Sequence, residues 1–321
     1  MPGKLEQLIN RRPLIIDGAM GSALQQMDLT IEGDYIGREN CVDLLVRSRP
    51  EVIQSIHESF LAVGSDAVET DTFGANPIVL AEFDEEVSSW ARALNREAAE
   101  VARAACDAHA TADAPRFVLG SMGPGTRLIT LGQVPWDAML ESYAEQARGL
   151  IDGGVDAFLI ETCQDLLQVK CAVNACLKAM EEAGRTHEDI PIMVSVTIET
   201  TGTMLLGTEI AAAVNALRSY PIFSLGLNCA TGPREMTANI EHLSKAWPNR
   251  ISCVPNAGLP VLVEGRTEFP LQPLPLSETI GEFIDRYGVD IIGGCCGTRP
   301  EHIEMLAGQA RSRQRPRRDH S

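Results

Sequence analysis

The sequence has no surplus of positive charge. Its 27 lysines and arginines stand against 44 aspartates and glutamates, which gives a net charge of −17. Proteins that bind nucleic acid hold phosphates with an excess of lysine and arginine, so this balance excludes a nucleic-acid surface. The partners that remain are small molecules and other proteins.

Long apolar runs are also missing. A membrane helix needs about 20 consecutive apolar residues, and no stretch of this sequence approaches that length. Residues 1–13 lack the apolar core of a signal peptide. We therefore expect a cytoplasmic protein that does not interact with membranes.

The sequence does contain enough apolar residues for a large core and an unusual number of cysteines. Hydrophobic residues make up 45% of the chain, and nine residues are cysteines. In a reducing compartment, cysteines that cluster bind metals or take part in catalysis more often than they form disulfides. The adjacent pair Cys295 and Cys296 is therefore the first candidate for a functional site.

Short runs rich in β-branched residues alternate with longer amphipathic segments along the chain. In four of these segments apolar residues recur every three or four positions, which predicts helices over 50–64, 85–109, 136–154 and 165–184. The runs that we predict as strands are 14–17, 66–73, 117–121, 156–162, 191–197, 222–228, 251–255 and 290–294. Strands that alternate with helices run parallel, and eight such units favour a single closed (β/α)8 TIM barrel of the α/β class. An open doubly wound sheet is the alternative fold.

We predict one barrel domain over residues 1–310, without an internal linker. A glycine followed by an aspartate precedes three of the predicted strands, at 64–66, 153–156 and 288–290, as in the αβ loops of such barrels. Residues 311–321 contain five arginines and form a basic tail that we expect to be disordered. The alternative is that this tail docks a partner domain.

Three cysteines lie at the carboxyl ends of predicted strands, where barrels of this type place their active sites. Cys229 ends the sixth strand, and Cys295 and Cys296 end the eighth between glycines that let the backbone turn. Buried packing is the alternative for a cysteine pair alone. Three sulfurs with one tetrahedral position free are typical of catalytic zinc, so we predict that these cysteines bind Zn²⁺.

This ligand set also indicates a reaction. Three thiolates outweigh the charge of Zn²⁺, so the site favours a soft sulfur ligand over the generation of hydroxide. Coordination would deprotonate a substrate thiol and leave its sulfur nucleophilic, which predicts S-alkylation. The cysteines at 41, 106, 163, 171, 176 and 253 and the histidines at 57, 109 and 187 receive no role.

Seven motifs resemble the zinc-dependent homocysteine S-methyltransferase family. They are DGAMGS (17–22), ETDTFGAN (69–76), GPGTRL (123–128), LIET (159–162), GLNCATGP (226–233), PNAGLP (255–260) and GGCCGTRPEHI (293–303). Within the family, the sequence is most similar to the homocysteine-binding barrel of cobalamin-dependent methionine synthases.

The resemblance implies roles for further residues. Cys229, Cys295 and Cys296 would be the zinc ligands, and Asn256 would offer a fourth ligand when substrate is absent. The residues implied in binding the amino-acid end of homocysteine are Asp17, Gly18, Ala19, Met20, Gly21, Glu161 and Asn228. A zwitterion needs backbone N–H donors at one end and a carboxylate at the other, which agrees with this set. For Asp17 a strand-end cap is the alternative.

Three residues of ETDTF are second-tier candidates. Glu69, Asp71 and Thr72 lie at the end of the second predicted strand and point to the rim by position. They could equally hold the loop backbone in place.

The expected reaction is methylation of homocysteine to methionine, and its methyl donor stays open. Methylcobalamin on a separate corrinoid protein, supplied by a methyltetrahydrofolate system, fits the resemblance. S-methylmethionine or S-adenosylmethionine fits a chain that acts alone. A third reading is a non-catalytic subunit that presents homocysteine within a split methionine synthase.

Overall fold

Eight parallel strands form the centre of the fold in the computed structural model, which describes residues 3–263 and 265–314. In chain order they are β1 (Leu14–Ile15), β2 (Ala67–Glu69), β3 (Phe117–Met122), β4 (Ala157–Cys163), β5 (Ile192–Val196), β6 (Ile222–Asn228), β7 (Arg250–Val254) and β8 (Ile291–Ile292). Ladder hydrogen bonds join them in the order β1, β8, β7, β6, β5, β4, β3, β2. The predicted single (β/α)8 barrel is confirmed.

A long helix follows each strand and packs outside the sheet. The helices are α1 (Lys4–Ile9), α2 (Met20–Leu24), α3 (Leu45–Ser48), α4 (Pro50–Val63), α5 (Pro77–Leu80), α6 (Glu85–Ser89), α7 (Ala91–His109), α8 (Trp136–Asp152), α9 (Leu166–Glu182), α10 (Ile210–Leu217), α11 (Thr237–Ala246), α12 (Pro273–Tyr287) and α13 (Pro300–Arg311). The outer layer consists of α4 and α7 to α13. Val42–Leu44 form a 3₁₀ turn, and Val261–Val263 pairs with Arg266–Glu268 in a hairpin. In the described part of the chain, no helix is long and apolar enough to cross a membrane.

The barrel closes between β1 and β2 through two aspartates instead of a ladder. At the amino end, the Asp66 N–H donates to Ile15 O over 2.7 Å, and the Asp66 carboxylate accepts the Ile15 N–H over 3.1 Å. At the carboxyl end, the Asp17 carboxylate accepts the Glu69 N–H at 3.1 and 3.2 Å. Side chains thus satisfy backbone groups that would otherwise be left unpaired at this seam.

The three glycine–aspartate loops have the conformation that the sequence predicts. Gly64 and Gly288 end α4 and α12 in the left-handed region, with φ of 116° and 65°. Asp156 accepts the Val118 N–H over 2.8 Å, and Asp290 accepts the Ile251 N–H over 2.9 Å, as Asp66 does at the seam. Each aspartate therefore fixes its own strand against the neighbouring one.

Two apolar cores surround the sheet. The smaller core lies inside the barrel and contains inward side chains such as Leu14, Leu119 and Met193. Leu5 and Ile9 of α1 belong to the same core. The larger core lies between the strands and the outer helices. The carboxyl end of the barrel is left open for polar side chains.

Several predicted elements differ from the structure in length, and β1 and β8 are shorter than the predicted strands 14–17 and 290–294. The second strand ends at Glu69, because a tight turn in which the Thr72 N–H donates to Thr70 O over 2.8 Å ends the extended backbone. The helix predicted over 85–109 is split into α6 and α7, with Trp90 as the hinge residue between them.

The first residues of the predicted basic tail are attached to the barrel. Arg311 is the last residue of α13 and donates to Gly64 O over 3.1 Å, and Arg313 forms an ion pair with Asp285 at 2.9 Å. The remaining residues of the tail, 315–321, lie outside the described residues. Disorder of those residues stays a prediction.

Candidate metal and substrate site

The structure brings Cys229, Cys295 and Cys296 together at the carboxyl ends of β6 and β8. Their sulfur atoms all lie within 4.8 Å of one another, and the sulfurs of Cys229 and Cys296 are 3.9 Å apart. A tetrahedral ion with metal–sulfur bonds of about 2.3 Å holds its sulfurs about 3.8 Å apart. The spacing therefore matches that of a tetrahedral metal site.

Unusual backbone conformations give the cysteines this arrangement. Cys229 and Ala230 have φ of 61° and 56°, which is rare for residues other than glycine and turns the chain sharply after β6. After β8, Gly297 has φ of 76°, and a Cβ there would lie 2.3 Å from the side chain of Phe269. The Cys295 N–H donates to Pro255 O over 2.8 Å, which ties this loop to the end of β7.

The three thiols influence one another strongly. Hydrogen bonds from Cys295 and Cys296 lower the pKa of Cys229. The hydrogen bonds of Cys295 with Cys229 and Cys296, together with burial, raise the pKa of Cys295 well above its ordinary value. The cluster can hold one thiolate easily, but not three without a cation. Asn256 is 3% exposed, and its Oδ1 has no hydrogen-bond partner among the described residues. A hydrogen bond from the Asn256 side chain also helps to lower the pKa of Cys229. The side chain therefore lies at the cluster, and its unpaired amide oxygen fits a fourth metal ligand.

Glu161 lies on the inner face of β4 near its end, where two side chains hold it. The Ser121 hydroxyl donates to Oε1 over 2.5 Å, and the Asn228 amide lies 3.4 Å from Oε2. Asn228 also accepts the Thr162 N–H over 2.9 Å. Burial raises the pKa of Glu161 to about 7, although the Ser121 hydrogen bond opposes the shift. Among the residues that the structure describes, this carboxyl group has no positively charged partner.

Three carboxyl groups converge beside the cysteines. Burial is the main cause that raises the pKa values of Asp17 and Glu69, and the charge of Glu161 raises both further. The backbone hydrogen bond from Glu69 partly opposes the shift at Asp17. A ligand with an ammonium group would favour the ionised form of these acids and pair with it.

The predicted carboxylate-binding segment lies next to these acids. Gly18 and Ala19 form the turn after β1, and Met20 and Gly21 begin α2, whose first N–H groups have no acceptor within the helix. A Cβ on Gly18 would lie 2.8 Å from the ring of Phe60, so only glycine allows this close packing. The first turn of α2 can thus donate backbone N–H groups to an anion.

The second-tier residues separate into two groups. Glu69 joins the acids at the mouth, whereas Asp71 is buried against the loop after β1, where burial and the charge of Asp43 raise its pKa. The Thr72 hydroxyl donates to Ser121 O over 2.7 Å and therefore holds the loop backbone.

Sequence reasoning missed Ser121. It follows Leu119 by two positions on β3, so both side chains point into the barrel. The alternation of the strand could have identified an inward serine at the carboxyl end. Its pairing with Glu161 joins β3 to β4 across the sheet and could not be inferred from one strand.

Comparison with known proteins agrees with this geometry. Among curated proteins, the chain is 45% identical over 314 residues to the methionine synthase of Mycobacterium tuberculosis (strain ATCC 25618 / H37Rv) and 47% identical over 303 residues to that of Mycobacterium leprae (strain TN). These matches cover 98% and 94% of this chain but only 26% and 25% of the relatives. The chain therefore spans about a quarter of the length of these proteins.

Solved structures show the same fold. The metallated form of the homocysteine methyltransferase MmuM from Escherichia coli superposes with a TM-score of 0.72 at 21% identity, covering 95% of this chain and 99% of that one. The apo form gives 0.69 at 22% identity, covering 94% and 98%. The sequence model of the family described as Homocysteine S-methyltransferase matches residues 14–310. The chain belongs to the homocysteine S-methyltransferase family.

Proposed function

We propose that this chain binds zinc and methylates the sulfur of homocysteine, which yields methionine. The observation that carries the proposal is the combination at one barrel mouth of three clustered sulfurs and a buried carboxyl group without a cation. The sulfurs suit a soft metal and a thiol, and the carboxyl group suits an ammonium. Few ligands other than a thiol amino acid match both.

Zinc would be held by the sulfurs of Cys229, Cys295 and Cys296. The unpaired Oδ1 of Asn256 would complete the set until the substrate sulfur replaces it. When bound, zinc lowers the pKa of a substrate thiol and keeps its sulfur nucleophilic at neutral pH.

The chain's own residues place the amino-acid end of the substrate. The Glu161 carboxylate accepts hydrogen bonds from the substrate ammonium, and Ser121 and Asn228 hold the two oxygens of Glu161 in position. The first turn of α2 donates N–H groups to the substrate carboxylate. With both ends held, the substrate sulfur is directed to the cysteine cluster, where it attacks the methyl carbon and the bond from that carbon to the donor breaks.

We propose methylcobalamin on a separate corrinoid protein as the methyl source. Twelve large apolar residues are exposed in the described part of the chain, and eleven of them lie in the loops after the strands or in the first turns of the helices that those loops enter. Met305 is the exception among these twelve. We call the other eleven residues the apolar collar: Met27, Ile31, Phe73, Leu131, Leu167, Leu205, Leu259, Val261, Leu262, Val263 and Leu274. We infer a protein interface from this concentration of exposed apolar residues on the face that carries the site, and a small donor would not need one.

The zinc proposal is tested by metal analysis. We expect one zinc per chain to survive gel filtration and to be lost in Cys296→Ala, with homocysteine binding lost in parallel. The absence of bound zinc from protein purified with zinc in the buffers would contradict the proposal.

The donor proposal is tested by supplying each methyl source in turn. We expect methionine from a methylcorrinoid protein, and Leu262→Glu in the collar to reduce that rate while the rate with free methylcobalamin is unchanged. Turnover with S-methylmethionine or S-adenosylmethionine alone would show a stand-alone enzyme. Tight homocysteine binding without turnover from any donor would indicate a subunit that only presents the substrate.

The nine cysteines are all free, and such a chain suits a reducing compartment. We therefore also propose a cytoplasmic location. Fractionation of cells that express the tagged chain would test it, and recovery in an extracellular or membrane fraction would contradict it.

A further inference from the structure

A cavity inside the barrel adjoins the substrate residues, and part of its lining has no role in the site described above. Its polar lining consists of Glu69, Glu161 and Asn228 of that site and of Ser195 of β5, Ser224 of β6 and Ser252 of β7. Most of the remaining lining is apolar, from residues such as Leu159 and Met193. The three serines make one side of the barrel interior polar.

Two of these serines have no hydrogen-bond partner among the described residues. Ser195 and Ser224 are 2% and 0% exposed, and the oxygen of each hydroxyl is buried without a partner. A buried hydroxyl without a hydrogen bond is costly, and such groups in folded proteins are nearly always satisfied by protein or by ordered water. Ser121, which also faces inward, is satisfied by Glu161.

The cavity has the size for one water molecule. The volume within which the centre of a water molecule can move is about 10 Å³. That is roughly the space that one water molecule needs. Gly226 leaves room for the Ser252 hydroxyl, since a Cβ on Gly226 would lie 1.9 Å from the hydroxyl oxygen. Cavities of this size remain dry when apolar and hold water when polar groups converge on them.

We propose that Ser195 and Ser224 hold one ordered water beneath Glu161, and that this water forms the floor of the amino-acid pocket. The water bonds to both serine hydroxyls and has hydrogen-bonding capacity left for Glu161 or Asn228, which line the same cavity. Ser195 and Ser224 are then positioning residues that support the carboxyl group facing the substrate. The link to homocysteine rests on the proposed function, whereas the water site does not.

A high-resolution crystal structure tests the water directly. We expect one density peak within hydrogen-bond distance of both serine oxygens, and its loss in the double variant Ser195→Ala/Ser224→Ala. An empty cavity in the wild-type protein overturns the proposal.

Thermal unfolding gives an independent test through the sign of the change. If the water is present, removing each hydroxyl breaks a hydrogen bond, and we expect the Tm to fall by about 1–2 °C per serine. If the cavity is dry, each variant removes an unpaired hydroxyl and the Tm rises. Ser277→Ala is the control, because Ser277 is equally buried but its hydroxyl donates to Leu274 O within α12.

Homocysteine affinity tests the role of the water as a floor. In the double variant we expect homocysteine to bind about three- to tenfold more weakly, with zinc content unchanged. An unchanged affinity overturns that role. If the wild-type protein binds no homocysteine, the proposed function fails, and the density and the sign of the Tm change still decide the water site.

Discussion

At the amino end of the strands, Asp66 and Asp156 each accept a backbone N–H and pair with an arginine, whereas Glu161 at the carboxyl end has only neutral donors. Asp66 lies 2.6 Å from Arg12, and Asp156 lies 2.5 Å from Arg103. Glu161 receives the Ser121 hydroxyl and the Asn228 amide. All three carboxyl groups lie at the ends of buried strands, yet within the described part of the chain only the two at the amino end have cationic partners.

The difference shows how the fold separates stability from function. A buried carboxylate that is fully paired stabilises the strands it joins, and it has no capacity left for a ligand. A carboxyl group left without a cation is costly until a ligand supplies one. At the amino end, the protein's own arginines pair with the carboxylates. At the carboxyl end, the cationic partner comes from the ligand.

Removal of a cysteine at the carboxyl end should have the largest effect. For Cys296→Ala we expect loss of bound zinc and a decrease in methionine formation of about 10³-fold or more, because the metal contributes several kcal/mol to the transition state. Zinc content and initial rates measure it. Cys253→Ala, a buried cysteine on β7 outside the cluster, should keep its zinc. A Cys296→Ala protein that keeps its zinc and its activity would contradict the proposed metal site at the carboxyl end.

Removal of a carboxylate at the amino end should affect stability alone. Asp66→Ala leaves Arg12, Arg116 and the Ile15 N–H without their buried partner, and we expect a loss of about 3–5 kcal/mol in the free energy of unfolding. Denaturant unfolding measures the loss, with the exposed Asp107→Ala as control. Zinc content should stay at the wild-type value in the folded protein. A loss below about 1 kcal/mol would contradict the structural role.

Much of the amino end could be predicted from the sequence, because its signals are local. A glycine that ends a helix and an aspartate that enters the next strand lie within a few residues of each other, as at 64–66 and 288–290. The eight-fold alternation of strands and helices then fixes which strands are neighbours. The strand ends at Cys229, Cys295 and Cys296 could be placed on one rim for the same reason.

The details of the carboxyl end depend on contacts between distant residues. The pairing of Ser121 with Glu161 and the seam role of Asp17 arise only when the sheet closes. The left-handed conformation of Cys229 has no signal in the sequence, since such a residue is usually glycine or asparagine. Tertiary contacts impose these features.

The unpaired carboxyl group should make stability depend on pH. In the folded protein the pKa of Glu161 is raised from 4.5 to about 7, so the folded state keeps a proton that the unfolded state releases. Its contribution is fully present below pH 4.5 and is lost as the pH rises to about 7. We expect wild type to lose about 3 kcal/mol more than Glu161→Gln over that range, measured by denaturant unfolding of both. Parallel curves would show that Glu161 has no raised pKa.

The same substitution should weaken substrate binding. Glu161→Gln keeps the shape of the side chain but removes the charge that faces the ammonium, and we expect homocysteine affinity to fall about 10- to 100-fold. Calorimetric titration of the zinc-loaded protein measures it. Asp71→Asn is the control, because Asp71 is buried against a different loop. If homocysteine affinity falls equally in the two variants, the charge of Glu161 has no specific role in binding the ammonium.

The smallest effect should come from an arginine at the amino end. Arg103 and Asp156 form their ion pair with side chains that are 29% and 32% exposed, so solvent screens it. The Asp156 carboxylate also keeps the Val118 N–H when the arginine is removed. For Arg103→Ala we therefore expect a loss of less than about 1 kcal/mol in the free energy of unfolding, whereas Asp156→Ala should cost more because it also leaves that N–H unpaired. If Arg103→Ala lowers the free energy of unfolding as much as Asp156→Ala does, the ion pair with Arg103 and not the hydrogen bond to the Val118 N–H accounts for the contribution of Asp156 to stability.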